Sequence, residues 1–213
     1  MAQIEVKWTK SESISIRDYG KDAGFNLSMI DIFKIPQDQR IWIQKKIVGS
    51  ILADLDYVWE DDEWNTPLSK VKKGIYVISL SGGICIDYRL SPSQVIYIGR
   101  GQIRSRIYNH LKNWVAHFSE SLQDIKLKFW MSEIKKNGSS DAFKAVESQL
   151  LIAFHEKHGE IPIMNKRFGD SVWIDHFFNK ELTKPFKIEN AAKRCWKIKP
   201  MPENEWFLTE EEI

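Results

Sequence analysis

Between residues 73 and 134 the apolar period of the chain changes twice, from strand to helix and back, and this limits the folds it can enter. Residues 73–80, Lys-Gly-Ile-Tyr-Val-Ile-Ser-Leu, are a β-branched and aromatic run that ends at the turn signal Ser81-Gly82-Gly83. A second such run covers residues 94–99, and strands so close in sequence are most simply antiparallel neighbours. Between them Cys85, Asp87 and Tyr88 read as an elongated hairpin or a short extra strand before Pro92. After Gly99 the period becomes helical: Ile103, Ile107, Leu111 and Trp114 fall within about 80° of one another at 100° per residue. Arg106 and His110, four residues apart, then project together from one edge of that helix. Alternation returns at 125–134, where Leu127, Phe129 and Met131 interleave with Lys126, Lys128 and Trp130.

The flanks of this segment have their own patterns. Ile4, Val6 and Trp8, followed by Ile14 and Ile16, alternate with polar residues and predict a small N-terminal hairpin. Pro36 opens a stretch in which Ile43, Ile47, Ile51 and Leu55 recur every four residues, an amphipathic helix ending near Trp59. An acidic run, residues 60–63, and Pro67 read as a solvated connection, with a boundary near Lys70. Downstream, Gly138-Ser139-Ser140-Asp141 supplies a turn and an N-cap for a helix to about His158, with Gly159 as its stop and Pro162 beyond. Ala142, Val146, Leu150 and Ala153 form its core stripe, and Glu147 stands one position off it. Trp173, Phe177, Phe178 and Leu182 predict a further docked helix ending before Pro185, and the acidic stretch 203–213 closes the chain.

Composition narrows the function classes. Two cysteines, Cys85 and Cys195, lie far apart without metal-ligand spacing, which excludes a disulfide framework or a cysteine-zinc site. No apolar run approaches the roughly 20 residues that span a bilayer, and the N-terminus lacks a signal-peptide stretch. A cytoplasmic protein without a membrane partner is expected. The net charge of +2 hides an asymmetry: residues 70–170 hold 16 of the 31 Lys and Arg but 9 of the 29 Asp and Glu. A basic middle between acidic flanks suits a polyanion-binding core. Two decoys carry less. Gly99-Arg100-Gly101 lacks the third glycine of a dinucleotide fingerprint, and the histidines of His155-Glu156-Lys157-His158 are three apart where a zincin needs four. Those histidines read instead as complements to the helix C-terminus.

Taken in order, Gly74-Ile75-Tyr76, Tyr97-Ile98-Gly99, a helical Arg106 with His110 four later, a helix-borne Glu147 and the trailing Asn165 of Ile163-Met164-Asn165 resemble the GIY-YIG nuclease family over residues 72–167. Residues 77–96 form a longer gap between the tripeptides than in minimal members, as in restriction-enzyme-like branches. The resemblance implies an α+β fold, a small mixed or antiparallel sheet flanked by helices, and hydrolysis of phosphodiesters in double-stranded DNA with a divalent metal, Mg²⁺ or Mn²⁺. It implies Glu147 as the one protein ligand to that metal, Arg106 on the scissile phosphate with Arg104 as its rival, and Tyr76 as general base. It also implies Tyr97 as a group orienting water or phosphate, and Arg100 as a DNA contact; Arg104 is read as a further DNA contact. His110 stands where it can accept the Tyr76 proton, and Asn165 ties loops together. Lys193, Arg194 and Lys197, interleaved with Trp196, are read as further DNA contacts.

The expected organisation is an N-terminal extension at 1–70, a nuclease core at 71–168 and a helical C-terminal extension at 169–213, with the flanks serving target recognition or homodimerisation. A type II restriction endonuclease is the favoured role. A structure-specific repair or recombination nuclease is the alternative, and a non-catalytic DNA-binding module with the same fold is the alternative from another class.

Overall fold

A computed structural model of the chain describes residues 4–25, 35–115, 125–135, 141–168, 179–188 and 196–199, with the side chains of 114 and 115 left out. Its centre is a four-stranded antiparallel sheet of order β1-β5-β2-β4, built from β1 (Thr9–Lys10), β2 (Gly74–Ser81), β4 (Val95–Gly101) and β5 (Lys126–Glu133). The short β3 (Ile84–Ile86) pairs in parallel with β6 (Trp196–Ile198) as a second, two-stranded sheet. Helices are α1 (Ile16–Asp22), α2 (Gln37–Asp61), α3 (Ile103–His110), continued by a π-helical turn at Leu111–Val115, and α4 (Ala142–His158). The architecture is therefore α+β, the coarse fold class expected from the sequence. None of the helices among the described residues is long and apolar enough to cross a membrane.

The strands form where β-branched residues can be buried on both faces. All eight residues of β2 are buried, because β2 is central, with β4 on one side and β5 on the other. One apolar cluster runs without a break from Ile4, Val6 and Trp8 through Ile47, Ile51 and Leu55 of α2 to Val77, Ile98, Phe129 and Leu150. Each such side chain contributes about 1.5–3 kcal/mol on full burial. Gly159, at φ +82, ends α4 in the left-handed conformation expected of its stop residue.

The N-terminal hairpin does not form. Thr9 and Lys10 pair instead with Met131 and Trp130, Ser11 N–H donates to Phe129 O at 2.9 Å, and Ile14 bridges Leu127. Ile16 is not in a strand at all but opens α1, where Ser15 caps the helix by accepting from Asp18 N–H. An isolated two-stranded hairpin is marginal in water, whereas the free edge of β5 offers the same backbone bonds with an apolar sheet behind them. Asp141 stands at the N-cap of α4 but makes no side-chain capping bond there, and its carboxylate pairs with Lys144 Nζ at 2.9 Å. Leu182 lies in a turn, and Pro185 falls within a single 3₁₀ turn, Lys184–Phe186, whose Phe186 is buried on the core. Trp173, Phe177, Phe178, Lys193, Arg194, Gly138, Ser139, Ser140 and the 203–213 stretch lie outside the described residues, as does the side chain of Trp114.

His158 is not a charged complement to the end of α4. It is buried, with Nδ1 2.9 Å from Ser91 O, and its ring lies among Tyr88, Phe154 and Phe186. Burial lowers its pKa, so it serves as a neutral wedge holding the 3₁₀ turn against α4. His155 packs edge-on against Phe168 with ring centres 5.2 Å apart.

Candidate functional site

The register of β2 against β4 sets Tyr76 opposite Gly99 and Tyr97 opposite Ile78. Side chains alternate along a strand and cross-strand partners share a face, so Tyr76, Tyr97 and Gly99 all lie on one side of the sheet. The Tyr76 and Tyr97 rings are 5.8 Å apart, and Tyr76 is fully buried. Gly99 makes this possible by having no side chain: a Cβ there would come within 2.6 Å of the Tyr76 hydroxyl and 2.5 Å of the Tyr97 ring. Gly74 does the same for the helix, since a Cβ there would lie 2.3 Å from Ile103 Cδ1. Ile103 fills that notch, and with Ile107 and Leu111 buried behind it, α3 is held down along its predicted stripe. The two glycines serve close packing, with neither at positive φ; the positive φ of this region, +114°, belongs to Gly101.

Docked in this way, α3 brings both of its edge residues to the tyrosines. His110 Nε2 lies 2.8 Å from the Tyr76 hydroxyl, and its ring is 4.4 Å from that of Tyr97. Burial, and then the nearby Arg106 guanidinium, draw the His110 pKa down to about 4. The imidazole is neutral at pH 7 and can accept the tyrosine proton. Burial and the neighbouring Tyr97 push the Tyr76 pKa well above its usual value, while Arg106 opposes the rise by its charge and a hydrogen bond. A neutral phenol on a neutral imidazole follows. A tyrosinate in this pocket requires positive charge beyond what Arg106 supplies.

Arg104 and Arg106 are two positions apart on α3, about 200° around the helix, and they part company. Arg104 Nε contacts both carboxylate oxygens of Asp56 on α2, at 3.0 and 2.9 Å, so it clamps two helices together. Arg106 turns to the tyrosines. Of the two arginines, Arg106 alone stands beside Tyr76.

Arg100 follows Gly99 in β4 and so alternates to the opposite face of the sheet, where α4 packs. Its Nε lies 3.1 Å from Glu147 Oε2, with side-chain exposures of 21% and 12%, and its guanidinium carbon sits 5.9 Å from the Phe143 ring. Glu147 and the tyrosine cluster thus approach β4 from its two faces, and β4 is an edge strand of the main sheet. Phe143 was not anticipated, although its position one helical turn before Glu147 places it on the same edge of α4. Among the described residues no three His, Cys, Asp or Glu side chains gather as a metal cluster. The donor set at Glu147 is a single carboxylate of hard oxygens, which suits Mg²⁺ or Mn²⁺ with water and phosphate filling the other positions, and does not suit zinc.

Asn165 closes the free edge of β4. Its side-chain oxygen accepts from Ile98 N–H at 2.9 Å, its amide donates to Ile98 O at 2.7 Å, and Met164 N–H donates to Ile96 O at 3.0 Å. The side chain imitates a neighbouring strand at the residue between Tyr97 and Gly99. Far along the chain, Lys197 pairs with Asp87 at 3.1 Å beside Trp196, which is 82% exposed on β6.

Compared with protein-family models, curated proteins and solved structures, the chain matches none of them. The functional reading therefore rests on the geometry of these side chains.

Proposed function

We propose that the chain is a metal-dependent DNA endonuclease of the GIY-YIG type, acting as a type II restriction endonuclease. The observation that carries this reading is the convergence of Tyr76, Tyr97, Arg106 and His110 around one hydrogen bond, from two strands and a helix. Hydrolysis of a phosphodiester needs a base for the attacking water, positive charge on the phosphoryl oxygens and help for the departing 3′ oxygen. Tyr76 takes the water proton as its own passes to the neutral Nε2 of His110. The water oxygen bonds to phosphorus, the P–O3′ bond breaks, and the departing 3′ oxygen takes a proton from solvent water. Arg106, permanently charged, neutralises the phosphoryl oxygens. Glu147, on the other side of β4, would hold Mg²⁺ or Mn²⁺, which when bound would add positive charge at the phosphate. The basic middle of the chain suits the phosphate backbone, so binding should weaken steeply with salt.

The test is plasmid DNA incubated with protein and Mg²⁺ beside the Glu147→Ala variant. Discrete fragments from the wild type alone support restriction. Cleavage confined to branched substrates transfers the reading to repair or recombination, and DNA shifted but intact in both samples leaves a binding module. Affinity that does not change between low and moderate salt would overturn the polyanion reading.

A further inference from the structure

We propose that Arg100 is a latch on Glu147: its guanidinium holds the carboxylate while DNA is absent and leaves it for a DNA phosphate when DNA binds, so that metal uptake follows DNA. This inference rests on the nuclease reading and adds an order of binding to it. A carboxylate that is only 12% exposed needs a cation beside it, and in the resting protein Arg100 is that cation, 3.1 Å away. The Phe143 ring flanks the guanidinium and keeps it over the helix edge. A divalent cation on the same carboxylate would repel the guanidinium, so the two compete for Glu147. A phosphate offers Arg100 another anion of equal charge and better fork geometry, and only then is Glu147 released without leaving a guanidinium unpaired. Arg100 is not sealed in place, since its side chain keeps 21% exposure. The Arg104–Asp56 pair differs, because its side chains are 36% and 31% exposed and its acid belongs to α2.

Linkage makes the effect reciprocal, since whatever DNA does to metal affinity the metal does to DNA affinity. The measurement is Mn²⁺ binding to the full chain, followed by loss of the free-ion paramagnetic resonance signal. It compares wild type, Arg100→Gln, Arg100→Lys and Glu147→Gln without DNA, and a Tyr76→Phe background with and without a short duplex so that the DNA stays intact. Arg100→Gln is expected to bind Mn²⁺ about tenfold tighter than wild type, Arg100→Lys to fall between them, and Glu147→Gln to lose binding; the duplex should tighten binding by a similar factor. The lysine variant keeps the charge, so it reports on the latch even where the glutamine variant fails to fold. Should plasmid be cleaved while neither Arg100 substitution nor duplex tightens Mn²⁺ binding, the latch is wrong and the nuclease stands. Absence of both Mn²⁺ binding and cleavage removes the nuclease reading, and the latch with it.

Discussion

The hydroxyl of Tyr76 lies 2.8 Å from Nε2 of His110, on a tyrosine that the fold buries completely. The pair works only because each group is held away from its charged form. Burial raises the tyrosine and lowers the histidine, and Arg106 sits beside both.

Stability should therefore fall as the solution is acidified. The folded pKa of His110 is depressed to about 4 from 6.5, so the unfolded chain binds the extra proton first. Stability is complete above pH 6.5 and is lost as pH drops toward 4, by about 1–2 kcal/mol once solvent screening at the partly open ring is allowed for. The His158 pKa is lowered as well and acts in the same sense. Urea unfolding at pH 7 and pH 5 measures the slope, and His110→Gln, which does not titrate, should flatten it. An unchanged slope in that variant would rule His110 out as the source.

Gly99→Ala should damage the site without touching a polar atom. The new methyl meets Tyr97 at 2.5 Å and the Tyr76 hydroxyl at 2.6 Å, so one ring must leave its place. Overpacking of this kind costs about 1–3 kcal/mol. Cleavage should drop at least about tenfold, because a 1 Å misplacement of a catalytic group is costly. A thermal melt and a plasmid assay on the same preparation decide it, and a variant with wild-type values in both contradicts the packing argument.

The two arginines of α3 should separate cleanly. Arg104→Ala breaks a half-exposed pair with Asp56, worth up to about 1 kcal/mol, and should leave the cleavage rate within about threefold of wild type. Arg106→Ala should leave the melting temperature unchanged and lower the rate by about a hundredfold or more. The reverse pattern in melts and single-turnover rates would assign the phosphate to Arg104.

Asn165→Ala removes both bonds to the Ile98 backbone, leaving a buried donor and acceptor at a cost of about 1–3 kcal/mol. Amide hydrogen exchange at Ile98 should accelerate while exchange at Val77 in the centre of the sheet changes little. Uniform acceleration across the sheet would show global destabilisation in place of a local tie.

Local pattern carries much of this structure. The Ile103, Ile107 and Leu111 stripe is buried as its spacing predicts, β2 and β4 pair as neighbours because so few residues separate them, and α4 stops at Gly159. These features depend on periods of two and 3.6 and on short connections, which a linear chain displays directly. The partner of the N-terminal segment was not legible, because β5 lies more than a hundred residues away and alternation says only that a strand-like segment wants an edge. His158 shows the same limit: its place at the end of a helix suggested a charge, while Ser91, Tyr88 and Phe186 from distant segments, with Phe154 one turn earlier on its own helix, keep it neutral.

By itself the sequence determined which residues could share a face: Tyr76 with its strand, Arg106 with His110 along one helix edge, Glu147 beside its apolar stripe. Tertiary structure alone decided which cation meets which anion. Arg104 goes to Asp56 because α2 lies along that side of α3, and Arg100 meets Glu147 because alternation in β4 turns it toward α4. The same holds for the low pKa of His110, since periodicity is a property of neighbouring residues, whereas burial and charge pairing exist only after distant segments have packed together.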